Sequence, residues 1–129
     1  MPGKKVLLKF WVPVVLWMVV IFALSSIPGE AMPEIPVPNF NLLAHFLEYC
    51  ILGVLFIRAL LNSNLRLSLP ILVGLSIIIL ALYAISDEWH QYFVPGRMTD
   101  FGDFLIDLMG SVFGVTLFSV KTLFIKNPS

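Results

Sequence analysis

His45, Glu48 and Tyr49 stand at i, i+3 and i+4, and Asp87, His90 and Gln91 repeat that spacing further along the chain. Asp100, Asp103 and Asp107 follow at i, i+3 and i+7, with Glu88 and Arg97 nearby in sequence. If helices continue through these residues, each set lies along one face. Carboxylates and imidazoles so placed suit general acid–base transfer, cation binding or a proton relay. The acid–base candidates are His45, Glu48, Asp87, Glu88, His90 and Asp103. Arg97, Tyr49, Gln91, Ser25 and Ser26 are candidates for holding a substrate. Like charges this close need relief from protons, from the basic groups Arg97, His45 and His90, or from a divalent cation. His45, Glu48, Asp87, His90, Asp103 and Asp107 are the candidate ligands for such a cation, and their spacing alone is a weak signal for one. Arg97 reads first as an internal counterion of Asp87, Glu88 or Asp103. It reads second as a clamp for a phosphate or carboxylate, since guanidinium pairs with either.

What must position these groups follows from composition. The chain has 129 residues, of which 59% are hydrophobic and only 12% charged. A soluble domain of that size lacks the polar surface it needs. Lipid makes the composition viable, because helices satisfy their own backbone there. The expected fold is all-α: one polytopic domain over residues 1–129, with four transmembrane helices at about 8–27, 45–61, 67–86 and 104–120. The first span also resembles a signal peptide, but its apolar run is long and a retained span is the expectation. The lone Cys50 excludes an intramolecular disulfide and a cysteine-rich metal site.

Charge placement orients the helices. Lys4, Lys5, Lys9, Arg58, Arg66, Lys121 and Lys126 all fall on one side of an alternating path, which places both termini in the cytoplasm. All eight carboxylates fall at the opposite side, offset there by Arg97 and the two histidines. Topology explains the basic residues and leaves the acids to be explained otherwise. The expected location is the cell membrane, multi-pass, with the polar site on the extracytoplasmic face. Basic and acidic residues number eight each, and no nucleic acid is expected as a partner.

The first outer loop, Pro28 to Asn41, carries Pro28, Pro33, Pro36 and Pro38 between Met32, Ile35, Val37 and Phe40, and is expected to lie on the membrane surface. The second, Asp87 to Gly102, contains a Pro95-Gly96 turn signal. Gly110 and Gly114 form a Gly-x-x-x-Gly step suited to close helix packing within the monomer. Trp11, Trp17, Trp89 and Tyr92 read as interfacial anchors and filler, and Arg58 as a snorkelling residue.

His45-Phe46-Leu47-Glu48-Tyr49, the run Asp87-Glu88-Trp89-His90-Gln91 through Pro95-Gly96-Arg97, and Asp103 with Gly110 and Gly114 resemble the VanZ-like family. That family is named for an accessory protein linked to low-level teicoplanin resistance. The resemblance covers nearly the whole chain, including Ser25-Ser26. One departure stands out: the family often has an Asp-Lys pair three to four residues before the histidine matching His45, and Asn41-Leu42 occupies that place. The resemblance implies a membrane protein and supplies no reaction.

Three functions suit these features. The first is an enzyme acting on a lipid or cell-envelope component, with hydrolysis of a lipid-linked phosphate as the leading reaction and a divalent ion as its conceivable cofactor. The second is a non-catalytic site for a lipid head group or an amphiphilic glycopeptide. The third, weaker, is an ion- or proton-coupled transporter. Membrane lipid is the expected partner in each, and oligomeric state is open.

Overall fold

The structure, a computed structural model, describes residues 2–127. It consists of four long helices joined by short connections, with no strand among the described residues. Helix α1 spans Lys4–Ser25, α2 Phe40–Leu61, α3 Leu69–Tyr92 and α4 Phe101–Lys126. Each is long and apolar enough to cross a membrane. Their outward faces carry side chains such as Leu16, Ile78, Leu82 and Leu117, all exposed by the fold and suited to lipid.

Local chemistry sets the helix limits. Pro13 lies inside α1, where it offers no N–H and its ring crowds the carbonyl four residues back. A wider π-helical turn over Leu7–Trp11 precedes it and makes room. Pro38 and Asn39 form a turn closed by the Phe40 N–H on the Val37 carbonyl at 3.2 Å, Asn39 adopts a left-handed backbone (φ 56°), and α2 begins at Phe40. Pro70 occupies the first turn of α3, where a missing N–H costs nothing. Asp100 caps α4 by accepting from the Gly102 N–H at 2.9 Å.

All but the first helix reach further toward the polar end than hydropathy indicates. Helix α2 starts a turn before His45, α3 continues through Asp87 and His90 to Tyr92, and α4 starts before Asp103. The connection between α3 and α4 is therefore the short stretch 93–100, in place of the longer loop expected from Asp87 to Gly102. The polar residues at these ends are helical because backbone bonding continues past the apolar run.

Helices α2 and α4 make the closest pair. A Cβ on Gly110 would collide with the Phe46 carbonyl and one on Gly114 with the Cys50 carbonyl, while one on Gly53 would come within 2.7 Å of the Ser111 carbonyl. The Gly-x-x-x-Gly step thus serves packing within the chain. Around this seam Tyr49, Leu52, Phe56, Ile57, Leu72, Leu80 and Val115 form the core. Helix α1 is tied across it by polar bonds at intervals. The Trp11 indole donates to Ser63 Oγ at 2.8 Å, Trp17 to the Glu48 carbonyl at 2.8 Å, and the Tyr83 hydroxyl to the Met18 carbonyl at 2.7 Å. Trp11 and Trp17 are thus inter-helix ties, whereas Trp89 and Tyr92 are about 70% exposed in the manner expected of interfacial residues. Arg58 lies 4.9 Å over the Phe10 ring at the end remote from the polar cluster.

Candidate functional site

The C-terminal ends of α1 and α3 meet the N-terminal ends of α2 and α4, and the polar residues gather there. Helical spacing puts His45 and Tyr49 on the inward face of α2, Asp87 and Gln91 on that of α3, and Asp103 and Asp107 on that of α4. All six are buried. Asp100 does not join them, being the exposed cap of α4.

His45 Nδ1 and Asp107 Oδ1 are 2.8 Å apart across the α2–α4 seam. This is the one ion-pair contact among the described residues. Asp103 and Glu48 stand within electrostatic range of the same histidine. The Tyr49 hydroxyl donates to Asp87 Oδ2 at 3.3 Å, and Gln91 Nε2 donates to Ser25 Oγ at 3.2 Å. Several buried polar atoms have no partner among the described residues: Asp87 Oδ1, both oxygens of Glu88, Asp107 Oδ2 and Ser111 Oγ. Buried polar atoms normally find a partner, and these five gather at the same helix ends.

The ligand set expected from sequence is redrawn. His45, Glu88 and Asp107 each offer an atom within 4.8 Å of the other two. Glu48, Asp87, His90 and Asp103 are not in that group. His90 stacks on Phe22 with ring centroids 4.3 Å apart, and its Nε2 meets Ser26 Oγ at 2.9 Å. Ser26 already donates its single hydroxyl hydrogen to the Phe22 carbonyl at 2.7 Å, so the histidine is the donor in that pair.

Arg97 also departs from expectation. Its guanidinium forms no ion pair with Asp87, Glu88 or Asp103. Instead Nε donates to the Ile27 carbonyl at 3.0 Å and Nη2 to the Leu24 carbonyl at 2.8 Å. These belong to the last turn of α1 and the residues just beyond it, where helical bonding runs out; the Leu24 carbonyl also accepts from the Ile27 N–H at 3.3 Å. A backbone contact reinforces the join: the Gly29 N–H donates to the Pro95 carbonyl at 3.0 Å. Gly29 and Gly96 pack backbone to backbone, Gly96 with φ 73°, and a Cβ on Gly29 would strike the Gly96 carbonyl.

Beside the cluster lies a cleft of about 620 Å³. Leu24, Ile27, Met32, Pro33, Ile35, Val37 and Phe40 supply apolar wall, and Ser25, His45, Glu48, Gln91 and Arg97 supply polar floor and rim. Of the acid–base candidates, His45 and Glu48 face this cleft. Glu88 instead lines a smaller cavity of about 380 Å³ with Ile85, Thr99, Asp100, Phe101 and Phe104. The first loop is the cleft's apolar wall, a role its alternation of prolines and apolar residues did not disclose. Ser111 was also missed. It follows Asp107 by one helical turn on the same buried face, so the i, i+4, i+8 run Asp103, Asp107, Ser111 was the available signal.

Comparison with known proteins places the chain. The sequence model of the VanZ/LLP1 family matches residues 10–124, a stretch holding every residue of the cluster and the cleft. No curated protein matches, and no solved structure matches.

Proposed function

The chain belongs to the VanZ/LLP1 family, and on that footing we propose that it is a cell-membrane protein that takes the anionic head group of an amphiphile into its cleft and acts on it there. Hydrolysis of a lipid-linked phosphate is the reaction we assign. The observation that carries the reading is the cleft's composition: an apolar wall reaching from α1 to the start of α2, above a floor holding His45, Glu48, Gln91 and Arg97. An acyl or isoprenyl chain suits the wall and a phosphate suits the guanidinium. Glu48 is the general acid or base, because it is the acid of the candidate set that reaches the cleft. Gln91 and Ser25, bonded to each other, give a fixed polar edge against which a head group is oriented. The gathering of basic residues at the opposite helix ends supports an extracytoplasmic cleft and cytoplasmic termini.

The test uses the full chain in lipid nanodiscs with phosphatidic acid or an isoprenyl diphosphate as probe. The expected result is phosphate release by the wild type, lost in Glu48→Gln while probe binding persists. Saturable binding without release in the wild type moves the reading to a non-catalytic site. In that second reading the apolar wall receives the acyl chain of an amphiphilic glycopeptide, which accords with the resistance link of the family resemblance. Neither release nor binding removes both.

A further inference from the structure

We propose that His45, Glu88 and Asp107 form a site for one divalent transition-metal ion, Zn²⁺ foremost. Three helices contribute one ligand each, and the three ligand atoms lie within 4.8 Å of one another. Ligand atoms sharing a tetrahedral ion are separated by about 3.4 Å, given bond lengths near 2.1 Å. His45 Nδ1 and Asp107 Oδ1, hydrogen-bonded at 2.8 Å, would open by a fraction of an ångström to share one. Glu88, from the third helix, brings a carboxylate oxygen within 4.8 Å of both.

A second observation is independent of the spacing. Asp107 is fully buried, and its Oδ2 has no partner among the described residues. Both oxygens of Glu88 are likewise buried and without a partner, as is the Ser111 hydroxyl one turn beyond Asp107. An unpartnered carboxylate oxygen removed from water is costly, and a cation meets that need directly. Arg97, the nearest arginine in sequence, gives two of its donors to the α1 carbonyls and forms no ion pair with Glu88 or Asp107.

The donor set selects the metal. One imidazole favours Zn²⁺ and its neighbours over Mg²⁺ and Ca²⁺, and the lack of a thiolate disfavours the softest ions. Two carboxylates balance a divalent charge. Three protein ligands leave a coordination position open, the arrangement of zinc sites that keep a water. His45 faces the large cleft and Glu88 the smaller cavity, so the site lies between the two. The proposal stands apart from the head-group reading, because metal retention requires no amphiphile.

The experiment uses the purified full chain in detergent, stripped with a chelator and equilibrated separately with ZnCl₂, MnCl₂ or MgCl₂. Bound metal is counted by elemental analysis after desalting, and thermal unfolding is followed in parallel. About one Zn²⁺ per chain is expected to stay bound, with about tenfold or greater loss of affinity in Glu88→Gln and Asp107→Asn. Zn²⁺ is expected to raise the Tm of the wild type and not that of Glu88→Gln. Glu34→Gln, in the exposed first loop, is expected to bind as the wild type does. If Asp107→Asn fails to fold, Glu88→Gln carries the test, since its carboxylate oxygens have no partner to lose. No retained metal in the wild type, unchanged Zn²⁺ binding in Glu88→Gln, or preference for Mg²⁺ each overturns the proposal. Loss of phosphate release in Glu48→Gln leaves it untouched.

Discussion

His45 and Asp107 meet at 2.8 Å across the α2–α4 seam, and Asp107 thereby satisfies one of its two buried carboxylate oxygens. The histidine is the sole partner of that side chain. His45→Ala should therefore strand a whole carboxylate in the protein interior, at a cost of about 3 kcal/mol. In His45→Ala with Asp107→Ala the stranded group is gone, and part of that loss should return. Reversible unfolding in mixed micelles reads both variants. A double variant as unstable as the two single losses summed would show that the two residues act separately.

The seam itself gives a second expectation. In Gly114→Ala the new methyl meets the backbone of Cys50, which cannot swing aside as a side chain can. Forced separation of α2 and α4 should cost about 1–3 kcal/mol. It should also weaken the His45–Asp107 bond, visible as an altered imidazole NMR signal. Gly74→Ala is the contrast, with nothing within 4 Å of the added carbon. Its effect should be neutral or stabilising by up to about 1 kcal/mol through helix propensity.

Arg97 should be irreplaceable by lysine. Its planar fork reaches two carbonyls, those of Leu24 and Ile27, from different nitrogens at once. Arg97→Lys keeps the charge and loses that geometry. Affinity for an anionic amphiphile is expected to fall about tenfold, as for loss of a charge-assisted hydrogen bond. Trp17, bonded to the Glu48 carbonyl, offers a fluorescence readout near the cleft floor. Equal binding by the lysine variant would mean that charge alone matters there.

Ser26 and His90 should behave as a local brace. Ser26→Ala removes the acceptor of the His90 Nε2–H while leaving the ring stacked on Phe22. A loss of about 1 kcal/mol in stability is expected, with Zn²⁺ retention as in the wild type. Loss of metal on this change would place His90 in the ligand set.

The four helices and the shared polar end were legible in the sequence because apolar runs and helical spacing are local properties. Boundaries were less so. Hydropathy ends α3 at Ser86, yet its backbone bonding continues through Asp87 and Gln91, which face the bundle and not lipid. The grouping of His45, Glu88 and Asp107 was hidden for a different reason. Glu88 sits one residue from the Asp87–Gln91 face, and only the rotation of α3 against α4 decides which acid approaches Asp107. Arg97 was hidden more deeply still: its partners are main-chain carbonyls, which every residue has and no sequence marks.

The glycine contact between the two loops has a bearing on how the protein is assembled. Gly29 and Gly96 touch only when α1 and α3 stand side by side, and Arg97 closes the same junction on a carbonyl 70 residues upstream. During synthesis Ile27 is made 70 residues before Arg97. Until Arg97 is made, the apolar wall of the cleft follows a helix end whose Leu24 and Ile27 carbonyls lack their guanidinium partner. The cleft thus draws its lining from both ends of this stretch, and its rim is complete only where the 93–100 loop meets the first loop. A nascent chain halted before Gly96 would hold its first three helices and lack both α4 and the junction that closes the cleft.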